Sequence, residues 1–346
     1  MNRHVSVEGK VVLVTGAGGS IGSVLTQHIA KALPSKLILV DSSELNLYEV
    51  GCTLDEMGVA CEMQNLILDV RDHQTLRSVF VKQDPEIVFH AAALKHVPLL
   101  ENEHNLVEAV RTNVLGSKNV ADLCSAAGAS MVMVSTDKAV NPSSVMGLTK
   151  RVAEIYVHAK ALRHPDSSFL QVRFGNVMGS SGSVIPKFQR QIAAGGPVTV
   201  TDPEMTRYMM SINDAAQLVL SAADLHGIGN GFGLYILDMG RPVKIVDLAR
   251  ELIELAGLRP DIDVLIEFIG IRPGEKLHET LTYDWEPLMK TDVKGVNRSL
   301  PRHFDPNSKG KLIDALLHHA ALHDGPEVKS LLTQVVPEFT GSDVWA

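Results

Sequence analysis

Three stretches of the chain combine residue types that chemistry requires. The first is Thr15-Gly16-Ala17-Gly18-Gly19-Ser20-Ile21-Gly22, where Gly16, Gly19 and Gly22 recur at G-x-x-G-x-x-G spacing. Glycine lets a backbone turn tightly and lets a phosphate approach with no Cβ in the way. A helix opening at Ser20, Ile21 and Gly22 would offer free N–H groups and the positive end of its dipole to a pyrophosphate. A glycine-rich turn alone is weak evidence. Here an apolar run precedes it, a helical pattern follows it, and Asp41 stands about twenty residues on, where a carboxylate can reach an adenosine ribose. No Arg or Lys follows in Ser42-Ser43-Glu44, which favours NAD, and the two serines leave NADP open. Asp69, with Val70-Arg71-Asp72, ends a later run and reads either as an adenine contact or as a helix cap by Asp69 or Asp72.

The second stretch is Ser135-Thr136-Asp137-Lys138, a carboxyl group beside an amine at the end of an apolar run. Such a pair shares its protons and titrates as a unit, so it can supply both an acid and a base. A solvated charged turn is the alternative. The third set is dispersed. Arg207 and Arg272 can grip a diphosphate bidentately, or pair with surface acids. Glu275 can accept from a ribose hydroxyl, Asn176 can donate to a phosphate or sugar, and Lys95 can reach cofactor or sugar. The 14 histidines show no metal-ligand spacing, so no metal is expected, and His90 and His96 are expected to pack or hydrogen-bond.

These residues need elements to hold them. Val11–Val14, Lys36–Val40, Asn65–Leu68, Glu86–His90, Ser130–Val134 and Phe169–Arg173 are short apolar runs ending at polar or small residues, the pattern of strands buried on both faces. Between them Ile21–Leu33, Glu44–Met57 and Leu106–Ala127 carry apolar residues at helical spacing, the last closed by Gly128. The alternation predicts an α/β fold, a doubly wound parallel sheet with ligands beyond the C-terminal ends of its strands. After about residue 175 the rhythm changes. Gly179-Ser180-Ser181-Gly182-Ser183 reads as a flexible break, followed by helices at Asn213–Leu225 and Val243–Ala256 and a strand at Leu234–Leu237. The expected division is a dinucleotide-binding domain over 1–175 and a smaller substrate-binding lobe over 176–346, with some segments returning to the main domain.

The catalytic stretch continues as Asn141-Pro142-Ser143-Ser144-Val145-Met146-Gly147-Leu148-Thr149-Lys150. Other long strings are His90-Ala91-Ala92-Ala93-Leu94-Lys95-His96-Val97-Pro98, Arg173-Phe174-Gly175-Asn176-Val177, Met205-Thr206-Arg207 and Arg272-Pro273-Gly274-Glu275-Lys276. With these the chain resembles the extended short-chain dehydrogenase/reductases. It is most similar to the polysaccharide-biosynthesis group that contains the UDP-N-acetylglucosamine 4,6-dehydratases, from Thr15 to about Leu281. The resemblance implies a Rossmann fold and a hydro-lyase reaction. Hydride leaves C4, the ketone acidifies the C5 proton, water is eliminated across C5 and C6, and hydride returns to C6. It implies Asp137 as acid at the C6 hydroxyl, Lys138 as base at C5, Thr136 on O4 and Lys150 on the nicotinamide ribose. Ala91, Ala92 and Lys95 are expected at the cofactor.

One departure matters. The superfamily usually has Tyr four residues before the lysine, where this chain has Met146, and a thioether cannot take a proton. The O4 proton then goes to Lys138, to Asp137 or through water to Lys150, or the oxidation does not occur. Some members of the resembled group carry Met here, and Met146 inclines the reading toward retention at C5. Tyr156 and Lys160 repeat the Tyr-to-Lys spacing about 15 Å further along a helix and read as an ordinary exposed pair. The competing functions are a UDP-N-acetylhexosamine C4 epimerase or oxidoreductase and a non-catalytic nucleotide-binding protein.

Composition sets the remaining bounds. The 346 residues allow one large or two moderate domains, with 45% hydrophobic and 21% charged residues as in ordinary globular chains. A net charge of −8 argues against a nucleic-acid partner. Cys52, Cys61 and Cys124 lack CxxC spacing and read as free thiols. Without a signal-like start or a membrane-length apolar run, a cytoplasmic location is expected, with a UDP-sugar and further copies of the chain as partners.

Overall fold

The computed structural model describes residues 7–227 and 230–341. Six strands form the first half: β1 (Val11–Thr15), β2 (Lys36–Asp41), β3 (Glu62–Ile67), β4 (Ile87–His90), β5 (Ser130–Val134) and β6 (Phe169–Arg173). Helices α1 (Ser20–Lys31), α2 (Glu44–Glu56) and α3 (His73–Gln83) connect the first four. The sheet has nine strands in the order Leu288–Lys290, Val296–Ser299, Phe232–Leu237, β6, β5, β4, β1, β2, β3. All pairs are parallel from Phe232–Leu237 through β3, and the strand Val296–Ser299 is antiparallel to both of its neighbours. Chain order reverses between β1 and β4, which opens a crevice at their C-terminal ends.

Register aligns those ends. Thr15 lies opposite His90, His90 opposite Met133, and Val134 opposite Val172. The glycine loop, the Ala91–Lys95 segment, the Asp137–Lys138 turn and Phe174–Asn176 therefore leave the sheet side by side. The apolar runs work as anticipated at β1, β2, β4 and β5, which are almost wholly buried. The third run does not. β3 begins at Glu62, three residues earlier than Asn65, and is largely exposed because it forms the edge of the sheet.

Two helix layers cover the sheet. One core gathers α1, α2 and the helix Ile212–His226 over Val12, Val14, Leu37, Leu39 and Phe89. The other gathers α3, the helices between Glu103 and Ala127, the helix Val145–Arg163, and the C-terminal helices Pro306–Ala321 and Gly325–Val335. The last two helices and α3 fall outside the elements expected from sequence, although their buried residues recur at helical spacing, as Leu76, Val79 and Phe80 and as Val328, Leu331, Leu332 and Val335. Their first turns are fixed by side chains: Asp72 accepts from the Thr75 amide, Asp305 from Asn307 and Ser308, and Asp324 from Glu327. Gly128 ends its helix in the left-handed region at φ 72°.

A separate small core holds the helices Val184–Ala193 and Ile245–Leu255 against the strand pair Val198–Val200 and Ile266–Phe268. Residues 212–226, 232–237, 288–299 and 306–335 belong to the main sheet and its helix layers, so a large part of the second half of the chain returns to the large unit.

Candidate active site

The glycine loop is shaped by contacts that exclude side chains. Gly16 sits at φ +68°, and a Cβ there would lie 2.5 Å from the Ala92 nitrogen. A Cβ on Gly22 would lie 1.8 Å from the Gly16 carbonyl oxygen. Gly19 begins α1 with no side-chain cap, which leaves the first-turn N–H groups to a ligand. The Asp41 carboxylate accepts from the Gly18 amide at 2.9 Å and from the Ser43 amide at 2.9 Å. It thus braces the loop from the end of β2 and keeps lone pairs for a hydroxyl donor. The loop and strand end fit a dinucleotide.

A cavity of about 860 Å3 runs from this loop across the strand ends. Its wall includes Gly19, Ser20, Ile21, Gly22, Ala91, Lys95, Thr136, Lys138, Met146, Lys150 and Asn176. A second cavity of about 270 Å3 shares Lys95, Lys138 and Asn176 with the first and continues to Arg207, Arg272 and Glu275 in the small lobe. The structure thus brings most of the candidate cofactor, catalytic and substrate residues to two adjoining spaces that meet at Lys138. Gly16, Asp41, Ala92 and Asp137 lie behind those walls, and Asp69 and Val70 stand outside both. Asp69 accepts from the Arg71 amide at 2.9 Å and from Arg71 Nε at 2.7 Å, and Val70 packs against Gly116. Of the two possible caps, Asp72 is the one that caps α3. Gly179–Ser183, read as a flexible break, is an irregular connection between the strand Asn176–Met178 and the helix Val184–Ala193, and it reaches the glycine loop, where the Ser181 amide donates to Ser20 Oγ at 3.1 Å.

At the meeting point Thr136 Oγ1 donates to Asp137 Oδ1 at 2.9 Å, and Lys138 Nζ donates to the same oxygen at 3.0 Å. Lys138 Nζ also donates to Asn176 Oδ1 at 2.9 Å. Asp137 is fully buried, and its Oδ2 has no hydrogen-bond partner. Burial alone would lower the Lys138 pKa, but the Asp137 and Glu279 carboxylates outweigh it and hold the amine above the usual lysine range. Lys150 is treated in the opposite way. It is buried, its Nζ donates to the Val134 carbonyl at 2.7 Å, and burial lowers its pKa to about 8. Met146 is 5% exposed on the same cavity wall. Arg207 is buried, and its Nη1 donates to the Thr206 and Leu277 carbonyls at 2.7 and 3.2 Å, which aims the rest of the guanidinium.

Tyr156 and Lys160 lie away from both cavities. They are not an exposed pair: Tyr156 is 4% exposed, and its hydroxyl and Lys160 Nζ converge on Asp122 Oδ1 at 2.7 and 2.9 Å. His90 hydrogen-bonds Thr15 and Ser117, and burial pushes its pKa down to about 3. Among the described residues no group of histidines, cysteines or acids is arranged to hold a metal.

Several site residues escaped the sequence reading. Glu279 lies 3.7 Å from Lys138 Nζ, and Lys276 lies 3.4 Å from Glu279. Asn113 sits where the helix widens into a π turn over Val110–Leu115. Its side chain accepts from the Leu94 amide at 2.8 Å and donates to the Leu94 carbonyl at 3.0 Å and Thr149 Oγ1 at 3.0 Å. It therefore fixes the segment carrying Lys95 against the helix carrying Lys150. The widened turn leaves no mark in apolar periodicity.

The family model for polysaccharide biosynthesis proteins matches residues 12–300. The chain belongs to that family. It is similar to the capsular polysaccharide biosynthesis protein CapD of Staphylococcus aureus, at 51% identity over 90% of this chain and 51% of the relative. The chain thus spans about half the length of that relative. The UDP-N-acetylglucosamine 4,6-dehydratase (inverting) of Campylobacter jejuni is 36% identical over 87% of this chain and 88% of the relative. A UDP-glucose 4-epimerase of Rickettsia typhi is 37% identical over 84% and 82%. Among solved structures, Pen from Bacillus thuringiensis superposes with a TM-score of 0.75 at 29% identity, covering 89% of this chain and 99% of Pen. The dTDP-glucose 4,6-dehydratase DesIV of Streptomyces venezuelae, with NAD bound, shares the fold at a TM-score of 0.66 and 22% identity, over 78% of this chain and 88% of DesIV. The family therefore holds nucleotide-sugar dehydratases and epimerases with a short-chain dehydrogenase/reductase fold. No described helix is long and apolar enough to cross a membrane.

Proposed function

We propose that the chain is an NAD-dependent UDP-N-acetylglucosamine 4,6-dehydratase that yields a UDP-4-keto-6-deoxy-N-acetylhexosamine. The observation that carries this reading is the hydrogen-bonded Thr136-Asp137-Lys138 cluster, whose Lys138 lines both cavities. An exchange confined to C4 needs no second acid–base pair, whereas elimination across C5 and C6 needs one acid and one base close together.

Bound NAD supplies hydride chemistry, accepting from C4 and returning to C6. Gly19, Ser20, Ile21 and Gly22 would hold its pyrophosphate, Asp41 its ribose, and Lys150 the nicotinamide ribose. NADP is the less favoured cofactor, because no cation accompanies Ser42 and Ser43. In the small lobe Arg207 and Arg272 would take the diphosphate of the sugar nucleotide, and Glu275 the uridine ribose. Lys95 and Asn176 line both cavities and would position the hexose between them.

The acid and base arise from one proton shift. In the resting pair the proton sits on Lys138, since Asp137 and Glu279 favour the ammonium. Transfer over 3.0 Å to Asp137 Oδ1 yields a neutral amine and a carboxylic acid together. The amine removes the C5 proton, and the acid assists departure of the C6 hydroxyl. The O4 proton passes through water to Lys150, the amine whose neutral form is accessible near pH 8.

Incubation with UDP-N-acetylglucosamine and NAD, read by mass spectrometry, tests the proposal. Loss of one water is expected. An unchanged mass with an altered sugar would establish the C4 epimerase, and no turnover with intact binding would leave a nucleotide-binding protein.

A further inference from the structure

Lys138 is surrounded from four sides. Asp137 precedes it in the same turn, and Asn176 holds Nζ from the strand Asn176–Met178. Arg207 faces it from the strand Thr206–Arg207 and disfavours its charge. Glu279 approaches from the segment that follows the Arg272–Lys276 loop, at 3.7 Å. Lys276 stands beyond Glu279 at 3.4 Å, anchored by its own hydrogen bond to the Val140 carbonyl at 2.7 Å. The order Asp137, Lys138, Glu279, Lys276 is thus a row of alternating charge, of which Lys138, Glu279 and Lys276 line the smaller cavity and Asp137 lies buried behind Lys138. The Glu279 side chain is only 4% exposed, its Oε1 facing Lys138 and its Oε2 facing Lys276.

A carboxylate buried this deeply is costly unless opposite charge compensates it. Lys276 alone would suffice as a structural partner. The second contact, to Lys138, adds something different, because Lys138 already has Asp137 at 3.0 Å. Two carboxylates flanking one amine fix Nζ between them and favour its protonated form. We propose that Glu279 is a positioning residue acting through Lys138: it holds the amine beside Asp137 and sets how readily its proton moves onto Asp137. This deepens the dehydratase reading and rests on it for the role of Lys138, but the charge coupling can be measured without turnover.

The test is competitive acylation of the whole protein by acetic anhydride across a pH series, with each lysine quantified by peptide mass spectrometry. About a fifth of the Lys138 side chain is exposed, so the reagent can reach it. In Glu279→Gln the labelling midpoint of Lys138 should fall by roughly 1–3 pH units, the effect of removing one opposite charge at this range. Exposed Lys82 should not move, because it lies on α3, away from the cluster. In Lys276→Met the Lys138 midpoint should rise, since a neighbouring positive charge is lost; this variant carries the test if Glu279→Gln does not fold. A Lys138 midpoint that stays at the wild-type value in folded Glu279→Gln, or in Lys276→Met where only that variant folds, overturns the proposal. Failure of wild-type enzyme to release water from UDP-N-acetylglucosamine would instead reject the dehydratase reading and leave the labelling result standing.

Discussion

Lys150 and Lys138 face one cavity under opposite electrostatic regimes, and each gives a prediction. Among the described residues no acid stands within hydrogen-bond reach of Lys150; its Nζ donates to the Val134 carbonyl, and burial lowers its pKa to about 8. Folding therefore disfavours its ammonium, so the protein without cofactor is penalised below pH 8 and relieved as the pH rises toward the unfolded value of 10.5. Unfolding free energy of wild type minus that of Lys150→Met should rise across this window, by at most about 1.4 kcal/mol per pH unit. Denaturant titrations at pH 7, 8.5 and 10 would show it, and a flat difference would contradict it. The same variant should lose dehydration by at least roughly 100-fold, as expected for removing a proton carrier. For Lys138 the expectation concerns the route of a proton. Lys138→Ala should stop solvent deuterium from entering C5 of the sugar, read by NMR of the product or recovered substrate, and undiminished exchange would remove Lys138 as the base.

Among the elements, the helix Val145–Arg163 carries the greatest functional load. It bears Met146 and Lys150 near its start, and Glu154 one turn later. Glu154 Oε1 accepts from Ser135 Oγ at 2.7 Å and Arg173 Nε at 2.7 Å, and its Oε2 accepts from Arg173 Nη2 at 2.7 Å. Burial would raise the Glu154 pKa, but Arg173 dominates and brings it to about 2. The pair ties the helix to β6 and to the end of β5, so it fixes Lys150 relative to Thr136. Removing Glu154 leaves the buried Arg173 with Glu286, which accepts from its Nη1 at 2.6 Å. Glu154→Ala should therefore cost about 3 kcal/mol in chemical denaturation, the low end for breaking a buried pair. The glycine loop gives the second element-scale prediction. Gly22→Ala places a Cβ within 1.8 Å of the Gly16 carbonyl, so the loop must open. NAD binding by calorimetry should then weaken by at least about 100-fold, and unchanged affinity would show that the loop is not the pyrophosphate cradle.

Over the whole molecule, the substrate cavity joins two cores. The segments leaving β5 and β6 supply Lys138 and Asn176, and the small lobe supplies Arg207 and Arg272. Arg207 is anchored to two backbone carbonyls and is only 7% exposed, so its contribution should be to binding rather than to chemistry. Arg207→Ala should raise KM for the UDP-sugar by roughly 10–100-fold while kcat changes little, the signature of lost uniform binding. A fall in kcat with unchanged KM would reassign the residue. Tyr283 braces the Asp137–Ala139 turn from later in the chain, its hydroxyl donating to the Ala139 carbonyl at 3.0 Å. Tyr283 stacks on Trp285 at 4.4 Å, and Arg151 lies over its ring.

The sequence by itself determined the sheet, the glycine loop and the list of chemical groups. Short apolar runs can be buried only as central strands, and glycines at that spacing permit one backbone path over a phosphate. It also marked Met146 as a position that cannot move a proton. It misjudged β3, because an apolar run does not reveal whether a strand lies in the middle or at the edge. It did not reveal Glu279, Asn113 or Tyr283, whose partners stand far along the chain and carry no local period. Only the tertiary structure decided that Lys138 holds its proton above the usual lysine range while Lys150 releases its own near pH 8. A pKa depends on which charges and how much solvent surround a group in space, and two lysines twelve positions apart in sequence carry no sign of that difference.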